Sequence, residues 1–189
     1  MSGYKIVVSQ MNNQVLVVKA LERICPDWAG KIEVGQPGRN QVVAKGAHGD
    51  VGCDIVVHQQ DMLGQVEDHG YSDLGLRWNA QRRAYEWVIS DCDRGNYNSP
   101  NGAYDPEGQH SSYNKRYGNY SEVFTGDVVG LYTALQAIED HKARGAVVEA
   151  EPQLEQNPDL GRAWKYEVSY DEAALVSLGV AMPASAHGG

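Results

Sequence analysis

The chain is poor in basic residues, and this shortage limits its partners. Its 189 residues include 16 Lys and Arg against 25 Asp and Glu, so the formal net charge is −9. A negatively charged protein repels phosphate backbones and anionic lipid surfaces. Arg77, Arg82 and Arg83 lie close together in the chain, but three arginines in so short a span are typical of a solvated strand end and turn. Neither nucleic acid nor a membrane is therefore an expected partner.

Cysteine is also scarce, and long apolar runs are missing. Cys25, Cys53 and Cys92 form no C-x-x-C pair and no zinc-finger spacing, and such an odd, widely spaced set predicts reduced thiols. No apolar stretch approaches the roughly 18 residues that a membrane span requires. The N-terminus, residues 1–10, lacks the charged-then-apolar layout of a secretion signal. These observations predict a cytoplasmic protein.

Signatures of the common enzyme classes are missing as well. The glycine-rich stretches match neither the P-loop nor the dinucleotide-binding pattern, and neither G-x-S-x-G nor H-E-x-x-H occurs. A thiol and base pair of Cys92 and His110 would require the segment between them to fold back. The sequence therefore favours a non-enzymatic protein without a cofactor.

The first half of the chain predicts one helix among short β-strands. Asn12 and Asn13 can cap a helix whose apolar residues recur at helical spacing until Pro26 ends it. The predicted strands cover residues 5–9, 31–34, 41–45, 53–58, 74–79 and 84–91. The second and third are expected to form one hairpin, and the last two another.

The second half begins with a segment of different composition. Residues 93–120 are rich in Gly, Asn, Ser, Pro and Tyr, which predicts a long loop. A helix over residues 127–143 follows, and Gly145 marks its end. Two closing strands, residues 146–150 and 164–170, are expected to be joined by a polar connection that contains Pro152.

This order of elements predicts an α+β fold. The expected architecture is a two-layer sandwich, in which a mostly antiparallel sheet carries two helices on one face and a long Tyr/Gly/Asn-rich insert interrupts the chain. One domain is expected over residues 1–180, with the insert at about 93–120 and a flexible tail at 181–189.

The opening strand and helix, together with four short motifs, resemble the hypothetical chloroplast reading frame thirty-five family. This domain of unknown function is found in algal plastids and cyanobacteria, with relatives in other bacteria and phages. The resemblance covers most of residues 4–170, but typical relatives lack the long insert. The motifs are Lys19-Ala20-Leu21-Glu22, Asp54-Ile55-Val56-Val57-His58-Gln59, Asp73-Leu74-Gly75-Leu76-Arg77-Trp78-Asn79 and Tyr85-Glu86-Trp87-Val88. Family genes often lie beside a gene for an AAA-class ATPase, so the resemblance implies an accessory or adaptor role. The family's distribution also leaves open a phage-encoded protein that interferes with a host pathway.

The tyrosines of the insert are the first candidate for a binding surface. Tyrosine combines a large contact area with a hydroxyl group at little entropic cost, and it is common at interfaces. Alternatively, the insert could cover the sheet and bury these rings within the protein. The candidate partner-binding residues are Tyr97, Tyr104, Tyr113, Tyr117 and Tyr120.

Acidic residues and a histidine on neighbouring segments form a second candidate site. Asp54 and His58 are four residues apart on a predicted strand and so share a face, as a metal-binding pair would need. Asp73 and Asp91 are the other metal-ligand candidates, although acidic strand ends are ordinary surface features. The sequence thus favours a protein-binding adaptor, and the alternative is a small metal-dependent enzyme or ligand-binding domain.

Overall fold

A computed structural model describes residues 4–8, 10–46, 49–63, 72–90, 121–157 and 161–179 of the chain. The chain divides into two compact units, Met1–Tyr132 and Thr133–Gly189. The described elements are helices and antiparallel strands, which confirms the predicted α+β class. Residues 93–120 of the insert and the tail, 181–189, lie outside the described residues. In the part of the chain that the structure describes, no helix is long and apolar enough to cross a membrane.

The first unit is built on a five-stranded antiparallel sheet with the order β1-β7-β6-β5-β2. In its centre, Leu76 lies opposite Ile55 on one side and Trp87 on the other, and all three side chains are buried. The predicted hairpin over residues 74–91 is confirmed as β6 and β7. The strands are β1 (Tyr4–Val8), β2 (Glu33–Val34), β5 (Ile55–Val57), β6 (Leu74–Asn79) and β7 (Ala84–Ser90).

The face of this sheet that carries Trp87 packs against the first turn of helix α3 (Ser121–Ala143), which in turn contacts the segment after helix α1 (Gln14–Ile24). Helix α1 begins where the Asn13 side chain accepts hydrogen bonds from two backbone amides, and it ends before Pro26, as predicted. Helix α3 starts earlier than predicted. Its Phe124 packs edge-on against Trp28 and Trp87, with ring centroids 5.8 and 5.9 Å apart. This aromatic cluster joins the turn that follows α1, Pro26–Trp28, and the first turn of α3 to the sheet.

The opposite face of the sheet is covered by a two-stranded ribbon of β3 (Val42–Ala44) and β4 (Val51–Cys53). Val42, Ala44 and Cys53 of the ribbon form a buried cluster with Val56 and Val88 of the sheet. The predicted hairpin of residues 31–34 with 41–45 is therefore wrong, because β2 pairs with β5 and β3 pairs with β4.

The physical reason for this difference lies at Asp54, where the chain passes from the ribbon into the sheet. Its carbonyl accepts the amide of Gly35, and its amide donates to the carbonyl of Leu76. The predicted strand over residues 53–58 is consequently split between two sheets. Gly38 and Asn40 turn the chain out of the sheet with positive φ angles of 76° and 50°.

The second unit contains a long antiparallel hairpin of β8 (Ala146–Asn157) and β9 (Gly161–Tyr170). Both strands are longer than predicted. Pro152 lies within β8 and not in a connection, because the register of this strand is irregular on both sides of Ala150 and the irregularity accommodates a residue without an amide hydrogen. Two further α-helices are described, namely α2 (Gln59–Leu63) in the first unit and α4 (Glu172–Ser177) in the second.

Candidate functional site: a histidine between two carboxylates

Three neighbouring strands of the five-stranded sheet bring one histidine and two acidic residues together. Glu33 lies in β2, His58 directly follows β5, and Asp73 directly precedes β6. The Nδ1 atom of His58 is 3.0 Å from Oδ2 of Asp73, and its Nε2 atom is 2.7 Å from Oε2 of Glu33. The imidazole ring is thus held between two carboxylates, and we name these three residues the histidine cluster.

Asp73 is the buried and most highly connected member of the cluster. Its side chain is 6% exposed. Besides His58, it accepts hydrogen bonds from the backbone amides of Lys45 and Gln59, both at 2.8 Å. The Asp73 amide in turn donates to the Lys45 carbonyl. A buried carboxylate needs such donors to offset the loss of water, so Asp73 joins the end of β3 and the start of α2 to the sheet.

The two carboxylates also determine the protonation of the imidazole. Burial of the ring, the largest single effect, lowers the pKa of His58, but the hydrogen bonds and charges of Glu33 and Asp73 outweigh it and raise the pKa above the ordinary value of 6.5. Both ring nitrogens face carboxylate oxygens, and both must carry a proton to donate to them. The arrangement therefore favours the imidazolium form.

An imidazolium with two bound carboxylates is neither a general base nor a metal ligand. A metal ion would have to replace the proton on Nε2, with His58 and Glu33 as ligands and Asp73 supporting the ring through Nδ1, a common arrangement at metal centres. In the described ranges no group of three or more His, Cys, Asp or Glu side chains is placed to hold a metal ion. The geometry by itself is that of an ion-paired structural cluster.

Asp54, the first candidate metal ligand, lies outside the histidine cluster. It is fully buried, and its two carboxylate oxygens accept the backbone amides of Gly38 at 2.7 Å and Asn40 at 2.5 Å. Asn40 connects this loop to the sheet, because its Oδ1 accepts a hydrogen bond from the amide of Trp78 on β6. Asp54 thus fixes the loop between β2 and β3, whereas His58 and Asp73 are in direct contact. Asp91 lies outside the described residues.

The remaining candidates fall into two groups. The five insert tyrosines, together with Cys92 and His110, lie outside the described residues. Cys25 and Cys53 are buried, as expected for small apolar residues. Burial raises the pKa of Cys53 to about 12, so this thiol is protonated and unreactive at neutral pH.

Glu33 belongs to the cluster but was not a sequence candidate. Its position follows from the pairing of β2 with β5, in which Glu33 lies opposite Val56, two residues before His58. Once this pairing is known, alternation along the strand places Glu33 and His58 on one face. The predicted pairing of residues 31–34 with 41–45 does not bring Glu33 next to His58, so it gives no indication of this contact.

Comparison of the chain with protein-family models, with curated proteins and with solved structures finds no match in any of the three. The resemblance to the hypothetical chloroplast reading frame thirty-five family therefore remains a prediction. The function is inferred from the residues of the chain.

Proposed function

We propose that the protein is a non-enzymatic binding or adaptor protein that engages another protein through the tyrosine-rich insert, as an accessory to an AAA-class ATPase. This proposal is supported by the hydrogen bonds that the two buried carboxylates accept. Asp54 and Asp73 both accept backbone amides that fix loops. The residues best suited to metal or acid–base chemistry thus have structural roles that account for them.

The arginines give no support to a nucleic-acid partner. Glu86 is buried on β7 and lies 3.4 Å from the Arg77 guanidinium and 3.9 Å from that of Arg82. Asn79 donates to the same carboxylate at 2.6 Å. Two of the three neighbouring arginines therefore have an internal acidic partner, as expected for a strand end and turn and not for a phosphate-binding patch.

The insert is attached to well-packed parts of the first unit at both ends. Ile89, near the end of β7, is 1% exposed, and Phe124, in the first turn of α3, is fully buried in the aromatic cluster. Binding residues are commonly placed on loops that a rigid scaffold positions. Five tyrosines between two anchored ends suit a protein-binding surface.

A pull-down from native lysate with mass spectrometry tests the proposal. The intact chain is compared with a variant in which a short Gly/Ser linker replaces residues 96–119, and with a control in which a linker of equal length replaces the tail, residues 181–189. We expect the intact chain and the tail control to recover the same partner and the insert variant to lose it. Equal recovery by all three proteins would contradict the proposal.

A small metal-dependent enzyme or ligand-binding domain is the second candidate. The observation in its favour is that Asp73 holds Nδ1 of His58 and leaves Nε2 directed at Glu33, which is 55% exposed. Metal analysis of the purified protein and of the variants His58→Ala and Asp50→Ala tests it. Stoichiometric metal that is lost from His58→Ala and retained by Asp50→Ala, a change at an exposed aspartate, would establish this candidate. Absence of bound metal from all three proteins would count against it.

A further inference from the structure

The two strands of the long hairpin differ in how their outer edges are protected. In the described part of the chain, β8 and β9 pair only with each other, so both are edge strands. β8 carries Pro152 and an irregular register on both sides of Ala150. Proline and bulges are devices that prevent pairing at a sheet edge. β9 has neither proline nor bulge over its ten residues.

The sequence of β9 is also complementary to itself. Lys165 and Glu167 flank Tyr166, and both charged side chains are more than half exposed. Trp164, Tyr166 and Val168 alternate with them and are half-buried, so β9 has a charged face and an apolar face. If two copies of β9 pair in antiparallel fashion about Tyr166, each Lys165 lies opposite the Glu167 of the other copy.

Other registers of this pairing are less favourable. The apolar faces of the two copies lie on the same side of the joint sheet only if apolar-face residues pair with apolar-face residues. A two-fold axis perpendicular to the sheet then passes through a residue and not between two residues. An axis through Lys165 or through Glu167 places like charges directly opposite each other, which is destabilising. The axis through Tyr166 also places Trp164 opposite Val168 of the other copy, and it pairs nearly the whole strand.

We infer that β9 is the contact surface for a second copy of this chain, with the order β8-β9-β9-β8 in a four-stranded sheet across the two-fold axis. A two-stranded ribbon is only marginally stable, and additional strands stabilise it. This inference goes beyond the proposed function, since it concerns self-association of the second unit and not the partner of the insert.

Charge reversal at Lys165 and at Glu167, the two residues that flank Tyr166, tests the inference on the full-length protein. Sedimentation velocity over a concentration series is expected to show a dimer for the wild type. Lys165→Glu and Glu167→Lys should each raise the dimer Kd about tenfold, because attractive pairs become repulsive ones. The double variant should recover the wild-type Kd, since an acidic side chain at position 165 then lies opposite a basic side chain at position 167 of the other copy.

Lys165 has two acidic neighbours within its own chain, and a matched control removes one of them. The other is Glu167 itself, at 3.5 Å, which the reversals also change. Lys165 also lies 3.9 Å from Glu155 of β8, so Glu155→Gln removes that contact without changing the outer edge of β9. It should leave the dimer Kd unchanged. A wild type that is monomeric at every concentration would overturn the inference. So would a dimer that is insensitive to the single reversals, or one that the double variant does not restore.

Disulfide trapping tests the register. In a Cys92→Ser background, Tyr166→Cys should form a dimer disulfide under mild oxidation, because the two copies of this residue face each other. Val147→Cys, at a 61% exposed position on β8, should not. Equal trapping at both positions, or trapping at Val147→Cys alone, would contradict the pairing about Tyr166.

Discussion

Individual polar residues determine how the chain passes between the layers of the first unit. Asp54 lies at the crossing from the ribbon into the sheet, and Asp73 lies where β6 begins. Each is buried and accepts two backbone amides. Buried carboxylates are stable only with such donors, so both residues specify a local backbone path.

Replacement of Asp54 tests this assignment. Asp54→Ala removes the acceptor of the Gly38 and Asn40 amides, and we expect it to lower the free energy of unfolding by about 2 kcal/mol. Asp54→Asn retains one acceptor oxygen and should cost less. Asp50→Ala, at an exposed aspartate close to the same ribbon, should stay within about 0.5 kcal/mol of the wild type. Urea unfolding measures all three, and a similar loss for Asp50→Ala and Asp54→Ala would contradict the assignment.

The titration of His58 is a second prediction at this scale. Because Glu33 and Asp73 raise its pKa above 6.5, the ring signals of His58 should titrate above that value in an NMR series. Glu33→Gln removes one of the two charges and should move the midpoint to lower pH. A midpoint below 6.5 in the wild type, or one unchanged in Glu33→Gln, would contradict the described geometry.

The same shift makes stability depend on pH. A histidine whose pKa is higher in the folded state stabilises the protein fully below the unfolded-state value, and this contribution is lost as the pH rises through the folded-state pKa. Paired urea unfolding of the wild type and His58→Gln should therefore give a larger difference at about pH 5.5 than at about pH 8.5. The cluster is partly exposed, so the change should not exceed about 1 kcal/mol. An equal difference at both pH values would disprove the charge contribution of the cluster.

At the scale of elements, the contact between the ribbon and the sheet depends on one glycine. A Cβ atom at Gly75 of β6 would lie 2.5 Å from Sγ of Cys53, 3.2 Å from Cβ of Ala44 and 3.3 Å from Cβ of Val88. The ribbon packs closely on the sheet because Gly75 has no side chain. This close approach explains why Leu74, Gly75 and Leu76, which alternate between the two faces of β6, are all buried.

Gly75→Ala should consequently lower the free energy of unfolding by about 1–3 kcal/mol through overpacking. In Gly75→Ala with Cys53→Ala, the new methyl group occupies space that the sulfur atom has left, so the double variant should lose less than the sum of the single losses. Gly126→Ala is the control, because a Cβ atom there meets nothing within 4 Å. Strictly additive losses in chemical denaturation would argue against this contact.

The elements also show which features can be predicted from sequence. Helix α1 and the hairpin of β6 and β7 follow from local signals, namely the cap at Asn13, the break at Pro26 and the alternation along each arm. The pairing of β2 with β5 depends on contacts of Asp54 with residues far from it in sequence, and local patterns do not encode such contacts. The bulged course of β8 through Pro152 is likewise decided by its pairing with β9.

The candidate site was predictable to the same extent. Residue type and neighbouring positions in the chain indicate His58 and Asp73, and these two residues are in contact. The pattern also places Asp54 with them, because it shares a predicted strand with His58, but that strand is split at Asp54 itself. Local sequence does not indicate Glu33, because its contact with His58 depends on the long-range pairing of β2 with β5.

At the scale of the whole molecule, the first unit and the insert have different proposed roles. The described core of this unit is built from the sheet, the ribbon, α1 and the first part of α3, with Trp28, Trp87 and Phe124 fully buried at its centre. The proposed function requires the insert tyrosines to serve a partner and not this core. A segment with that role can be replaced at little cost in stability, since loop-closure entropy depends only weakly on loop length.

The most direct measurement is therefore the free energy of unfolding of the variant in which a short Gly/Ser linker replaces residues 96–119. We predict cooperative unfolding with a free energy within about 1 kcal/mol of the intact chain, together with loss of the partner. A decrease of several kcal/mol, or loss of cooperative unfolding, would show that the insert tyrosines pack into the core, and it would contradict their assignment to a binding surface.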